Sequence, residues 1–226
     1  MSDSFGTHTG KFRLSIQRLD VGVGCKSLKF GKAASAHIKE AASATCFTFT
    51  AASGDALFAK SVGTSGTIGT PSAIVTSAAG AVECLVNGTV ECPLSAAGST
   101  TVVLYSESGS GTGSFRIYPQ QMTAPQHCTA VMVGGPGKSG SVAKAGDVAC
   151  FAFSGTSGDT DTATITGLTG SLSPEIDFFR PTGTSACASS GLTVSCPLDA
   201  TGSWTILVYD VAGPGTGSFS LAVTKT

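Results

Sequence analysis

Eight cysteines are the residues best placed to do chemistry: Cys25, Cys46, Cys84 and Cys92, then Cys128, Cys150, Cys187 and Cys196. A cysteine set of this size holds zinc or forms disulfides. Zinc ribbons bring their ligands in close C-x₂₋₄-C pairs. Here the intervals are 21, 38 and 8 in the first four and 22, 37 and 9 in the second four. Such spacing fits bridges between strands. In CLVNGTVEC the loop Asn87-Gly88-Thr89 sets Cys84 opposite Cys92 across a hairpin. In CASSGLTVSC the turn Gly191-Leu192 does the same for Cys187 and Cys196, with glycine where a type II′ turn needs positive φ. Facing strand positions lie within disulfide reach. Cys25–Cys46 and Cys128–Cys150 are then the second bridge of each set. Disulfides call for an oxidising compartment, so the expected location is extracellular or at the cell surface.

Other chemistry is sparse. The acidic residues Asp159, Asp161 and Asp177, with Glu175, Asp199 and Asp210, are the candidates for a calcium site, which wants several oxygen ligands. No other cofactor is expected. His8, His37 and His127 have no counterparts between the two cysteine sets, and none is placed as a catalytic base. GGPGKSG (Gly134 to Gly140) fails as a phosphate-binding loop, because Met132 stands where the pattern needs glycine and a strand, not a helix, follows. The expectation is a protein that is not an enzyme.

The elements that position these residues are duplicated. Equivalent cysteines lie 103 or 104 residues apart. CFTFTAASGD (Cys46 to Asp55) matches CFAFSGTSGD (Cys150 to Asp159), and ECPLSAAGSTTVVLY (Glu91 to Tyr105) matches SCPLDATGSWTILVY (Ser195 to Tyr209). Phe12, Phe115 and Phe219 keep the same register within GKFRL, GSFRI and GSFSL. Self-similarity at a fixed period is the signature of a repeat protein. Two whole repeats are therefore expected, at residues 25–118 and 128–226, joined by a stiff Pro-containing linker at 119–127. Residues 1–24 would hold the terminal strand of a preceding repeat, in which Phe12, Leu14 and Ile16 alternate as an orphan strand that could add to an edge of another molecule.

Each repeat reads as short alternating strands separated by Gly-, Ser- and Pro-rich turns every eight to twelve residues, the pattern of an all-β sandwich. Trp204 alternates with Ile206 and Val208 and belongs in the core. Composition agrees: 41% of the 226 residues are hydrophobic and only 12% charged, about half the usual share of charge. A net charge of −1 offers no field for nucleic acid. No apolar run reaches the roughly 18 residues of a membrane span, and the start MSDSFGTHTG has no hydrophobic signal-peptide core.

The stretch GDVACFAFSGTSGD…LSPEIDFFRPTGT…CPLDATGSWTILVYD…GTGSFSLAV resembles the bacterial pre-peptidase C-terminal domain, in a disulfide-containing variant. The second repeat matches over its whole length. The first keeps its ends and cysteines but has TPSAIVTSAAG in the middle. The resemblance implies two tandem jelly-roll-like antiparallel β-sandwiches of about eight strands. It also implies a noncatalytic module of secreted proteins, some relatives of which bind calcium or a polymer such as collagen. The functional expectation is an extracellular spacer, stalk or adhesion segment whose partners are flanking repeats of the same parent chain. The alternatives are a polymer- or calcium-binding accessory module of a secreted hydrolase, and a filament subunit that joins identical subunits by strand addition.

Overall fold

The computed structural model describes Leu14, residues 16–20 and residues 22–226. Among these residues every regular element is a strand. In the first repeat these are β1 (Lys26–Ser27), β2 (Ala34–Ile38), β3 (Ala44–Ala51), β4 (Ala56–Gly63), β5 (Ser72–Thr76), β6 (Val82–Asn87), β7 (Thr89–Pro93), β8 (Gly98–Tyr105) and β9 (Gly113–Gln121). The second repeats the list with β10 (Thr129–Ala130), β11 (Lys138–Val142), β12 (Val148–Gly155), β13 (Thr160–Thr166), β14 (Pro174–Phe179), β15 (Ser185–Ser190), β16 (Thr193–Pro197), β17 (Gly202–Asp210) and β18 (Gly217–Lys225).

Each repeat is a sandwich of a five-stranded and a four-stranded sheet. The orders are β1-β3-β8-β5-β6 over β2-β9-β4-β7, and β10-β12-β17-β14-β15 over β11-β18-β13-β16. Successive strands cross between the two sheets at nearly every step, which is the jelly-roll-like connection. Alternation supplies the cores. Phe47, Phe49, Leu57, Leu104, Phe115 and Ile117 fill the first. Phe151, Phe153, Phe178, Trp204, Ile206 and Phe219 fill the second. Trp204 is fully buried and its indole N–H donates to the Ala200 carbonyl at 3.0 Å, so the polar atom of that side chain is satisfied.

The repeated GTGSF phrase has a steric cause. A Cβ at Gly113 would lie 2.0 Å from the Ser65 carbonyl oxygen, and one at Gly217 would lie 2.1 Å from that of Thr169. Both glycines open the closing strand where a loop backbone presses against it.

All four expected disulfides are present: Cys25–Cys46, Cys84–Cys92, Cys128–Cys150 and Cys187–Cys196. The hairpins expected around two of them are not. β6 pairs with β5 while β7 pairs with β4, and likewise β15 pairs with β14 while β16 pairs with β13. The turns at Gly88 and Gly191 therefore carry the chain from one sheet to the other. Cys84–Cys92 and Cys187–Cys196 staple the two sheets of a sandwich at its edge. Cys25 and Cys128 instead precede short strands that pair in parallel with β3 and β12, so their bridges lie along one sheet.

One boundary also differs from expectation. β9 runs on through Pro119 and Gln120 to Gln121, because Leu57, Phe58 and Ala59 of β4 pair with residues 119–121. The connection is thus shorter than 119–127. At the amino-terminal side Phe12 lies outside the described residues, while Leu14 and Ile16 are exposed and in no strand. Among the described residues no strand pairs with either. Among the described residues no helix is long and apolar enough to cross a membrane.

Candidate functional site

The strands β4 and β9 are buried on both faces, which alternation alone does not provide. Leu57, Ala59 and Ile117 point into the first core. Phe58 and Tyr118 point outward and enter a third apolar cluster with Met122, Phe179, Leu207 and Tyr209, next to Val148 and Cys150. The four-stranded sheet of repeat one thus packs its outer face on the outer face of the five-stranded sheet of repeat two. Phe58 sits at the centre, fully buried. Its ring meets Phe179 edge-on at 5.9 Å and Tyr209 at 5.6 Å.

Polar groups ring this seam. The Arg116 guanidinium donates to Asp147 at 2.7 Å and to the Ala145 carbonyl at 2.9 Å, both across the junction. The Ser185 N–H donates to Glu91 at 3.3 Å. At the connection, Gln120 clamps Gln126 by its amide, donating to the carbonyl at 2.7 Å and accepting from the N–H at 3.2 Å.

Inside the seam lies a buried charge cluster. Lys60 is 3% exposed; its ammonium lies 4.5 Å from the centroid of the Tyr209 ring, a cation–π contact, and donates to Thr89 at 3.2 Å. The Tyr209 hydroxyl donates to Asp177 at 2.5 Å, while the other Asp177 oxygen has no hydrogen-bond partner. Burial pushes the Asp177 carboxyl up to about 6, with Glu175 and Glu91 adding to the rise and the Tyr209 bond and Lys60 opposing it. Burial also lowers Lys60, against the attraction of Asp210, Asp177 and Glu175. Burial raises Tyr209, and the Asp177 charge raises it further.

The sign of the pH dependence follows. An aspartate in an unfolded chain titrates near ~4. Between there and about 6, the folded protein holds a proton that the unfolded chain has lost, so stability falls as pH rises through that window. The total is about 3 kcal/mol. Asp177→Asn keeps an acceptor for Tyr209 and removes the titration. Urea unfolding at several pH values between 4 and 6.5 is expected to show a shallower decline in the variant than in the parent. Parallel profiles would contradict the assignment.

The three calcium candidates do not converge. Asp159 is paired with Lys225 at 2.7 Å. Asp161 is buried on the four-stranded sheet of repeat two, on the same side of β13 as Ala163 and Ile165. Asp177 belongs to the opposite sheet and faces repeat one. These residues therefore do not form one calcium site, and among the described residues no three carboxylate, histidine or cysteine side chains gather as a metal cluster. Of the histidines, His8 lies outside the described residues. His37 contacts the Ser114 hydroxyl at 3.1 Å on the exposed side of β2 and β9, with no carboxylate hydrogen-bonded to the ring among the described residues. His127 adjoins the Cys128 bridge.

What brings the chain together is a domain–domain seam, and comparison with known proteins adds little chemistry to it. No family profile and no curated protein matches the chain. Among solved structures, a periplasmic inhibitor of g-type lysozyme from Aeromonas hydrophila is 23% identical and covers 44% of this chain and 97% of its own, with a TM-score of 0.36. The pre-peptidase C-terminal domain of a Bacillus anthracis collagenase is 14% identical over the same shares, with a TM-score of 0.34. The human MASP-1/3 fragment CUB1-EGF-CUB2 is 8% identical and covers 84% of this chain and 99% of its own, at 0.25.

The seam has a signature that alternation hides. Register pairs Leu57 with Cys92 and Asp161 with Cys196, so Phe58 and Lys60 correspond to Thr162 and Thr164. Tyr118 corresponds to Ala222 at the same offset of 104. Inward positions are apolar in both copies apart from Ser61, whose hydroxyl donates to the Pro71 carbonyl at 2.8 Å, and Asp161. Outward ones such as Phe58, Lys60, Arg116 and Tyr118 are large in the first copy and small in the second. That contrast between duplicated strands marks the docked face.

Proposed function

We propose that this chain is a noncatalytic extracellular structural module: two disulfide-stapled β-sandwiches fused into one stiff unit that spaces or presents neighbouring parts of a larger secreted or surface protein. The observation that carries this reading is the apolar seam of Phe58, Tyr118, Met122, Phe179, Leu207 and Tyr209. A flexible tether leaves each domain free; a seam that buries six large side chains fixes their mutual orientation. Flanking repeats of the parent chain are its partners, since a stacked repeat gains stability from each neighbour it touches.

The test combines shape with binding. Small-angle scattering is expected to give a single compact profile that the two-repeat structure fits, unchanged by calcium. The protein is also expected to remain in the supernatant over insoluble polysaccharide and collagen. A profile that requires a mixture of interdomain orientations would overturn the stiff-unit reading. Retention on a polymer, or calorimetric uptake of Ca²⁺, would favour the accessory-module alternative.

A further inference from the structure

The seam uses one face from each repeat, and repeat one has a second copy of the face that repeat two contributes. In register, Val103 stands where Leu207 does, Tyr105 where Tyr209 does and Ile74 where Asp177 does. These side chains lie on the outer face of the five-stranded sheet β1-β3-β8-β5-β6, where Val103, Tyr105, Ile74, Ala44 and Leu19 line a groove of about 330 Å³.

The segment leading into this face repeats the geometry of the connection between the two sandwiches. Gln17 donates to the Val23 carbonyl at 3.3 Å and lies 3.9 Å from the Cys25 sulfur. Gln120 does the same with Gln126 at 2.7 Å and Cys128 at 3.7 Å. Leu19, two residues after Gln17, lies against the first face as Met122, two after Gln120, lies in the seam. The Thr76 hydroxyl donates to the Leu19 carbonyl at 3.3 Å.

We infer that the outer face of β3, β8 and β5 is the docking surface for a preceding module of the same kind, which presents its own four-stranded sheet as repeat one presents β4 and β9 to repeat two. This rests on the structural-array reading above and specifies its interface and polarity. The chemistry of the face also selects the occupant. Lys60 is accompanied in the seam by Asp177, Glu175 and Asp210. In register, Ile74, Ser72 and Ser106 replace them. A buried ammonium would find one carboxylate here in place of three, Glu107, which accepts from Ser72 at 3.5 Å and from Asn87 at 3.3 Å. It would be left short of counter-charge, so the preceding module carries an uncharged, apolar side chain at the Lys60 position. At the opposite end of the unit the corresponding outward positions are Thr162, Thr164, Ser220, Ala222 and Thr224, which offer no large anchor of the Phe58 or Tyr118 kind.

A three-module chain tests the inference: residues 1–121 followed directly by residues 19–226, with Lys60→Met and Tyr105→Phe in the upstream copy. Tyr105 of the middle module and Tyr209 are then read by hydroxyl-radical footprinting, beside the natural chain. The expected result is at least fivefold protection of Tyr105 relative to the natural chain, lost again when Val103 of the middle module is changed to Glu. Tyr105 reacting as fast as in the natural chain while Tyr209 stays protected would overturn the docking surface alone. Reactivity at Tyr209 as well would overturn the stiff-unit reading with it.

Discussion

Phe58→Ala is expected to uncouple the two sandwiches without unfolding either. The side chain is fully buried and touches the rings of Phe179 and Tyr209. Deleting a buried phenylalanine ring costs about 3–5 kcal/mol through lost transfer energy and the cavity left behind. None of that loss falls on the two sandwich cores, which are built from other residues. The parent should therefore melt in one cooperative transition, and the variant in two, with scattering showing a larger radius. Phe179→Ala should do the same from the other side. The double variant should cost less than the two singles together, since an edge-on aromatic pair adds roughly 0.5–1.5 kcal/mol beyond its area. A single transition of unchanged cooperativity in Phe58→Ala would show that the seam does not couple the repeats.

This effect concerns residues whose importance was hard to read from the chain. Period and cysteine spacing determine most of the architecture, since the 103–104 residue offset aligns every strand of one repeat with a strand of the other. The cysteine pairs expected from the sequence are the observed ones, although the hairpins that argued for two of them do not form. The path between Cys84 and Cys92 is not. A nine-residue stretch with Asn-Gly at its middle describes a hairpin and a crossing between sheets equally well. Only the pairing of β6 with β5 and of β7 with β4 decides for the crossing. The seam was obscured for a related reason. Alternation assigns Phe58, Lys60 and Tyr118 to the solvent side of their strands, and that side is solvent only in repeat two. Lys60 illustrates the cost of reading by type: a lysine on an outward position is ordinarily hydrated, yet here it lies over Tyr209. Asp177 misleads in the opposite direction, since an acidic side chain near two others suggests a metal while its real neighbour is a phenol.

The two classes of disulfide should fail differently, and the larger loss is expected at Cys128–Cys150. In the chain-entropy account, closing a loop of 22 residues restricts the unfolded chain by about 3 kcal/mol. Cys187–Cys196 closes only 9, worth about 2–3 kcal/mol on the same account. Position then adds to the difference. Cys150 is buried in the seam cluster and Cys128 packs against it, so Cys128→Ala with Cys150→Ala also frees the connection that Gln120 clamps to Gln126 and Cys128. This variant should both lower the melting temperature of repeat two and speed hydrogen exchange in β9 and β12, on opposite sides of the seam. Cys187→Ala with Cys196→Ala should instead loosen β15 and β16, where the staple joins the two sheets, and leave exchange in β9 as it was. Equal exchange patterns in the two double variants would refute the distinction between a staple within one sandwich and a bridge that anchors its junction with the next. The same logic explains why the bridge recurs at Cys25–Cys46: Gln17 stands 3.9 Å from the Cys25 sulfur, so each five-stranded sheet fixes the incoming chain by one covalent bond and one glutamine before the first long strand begins.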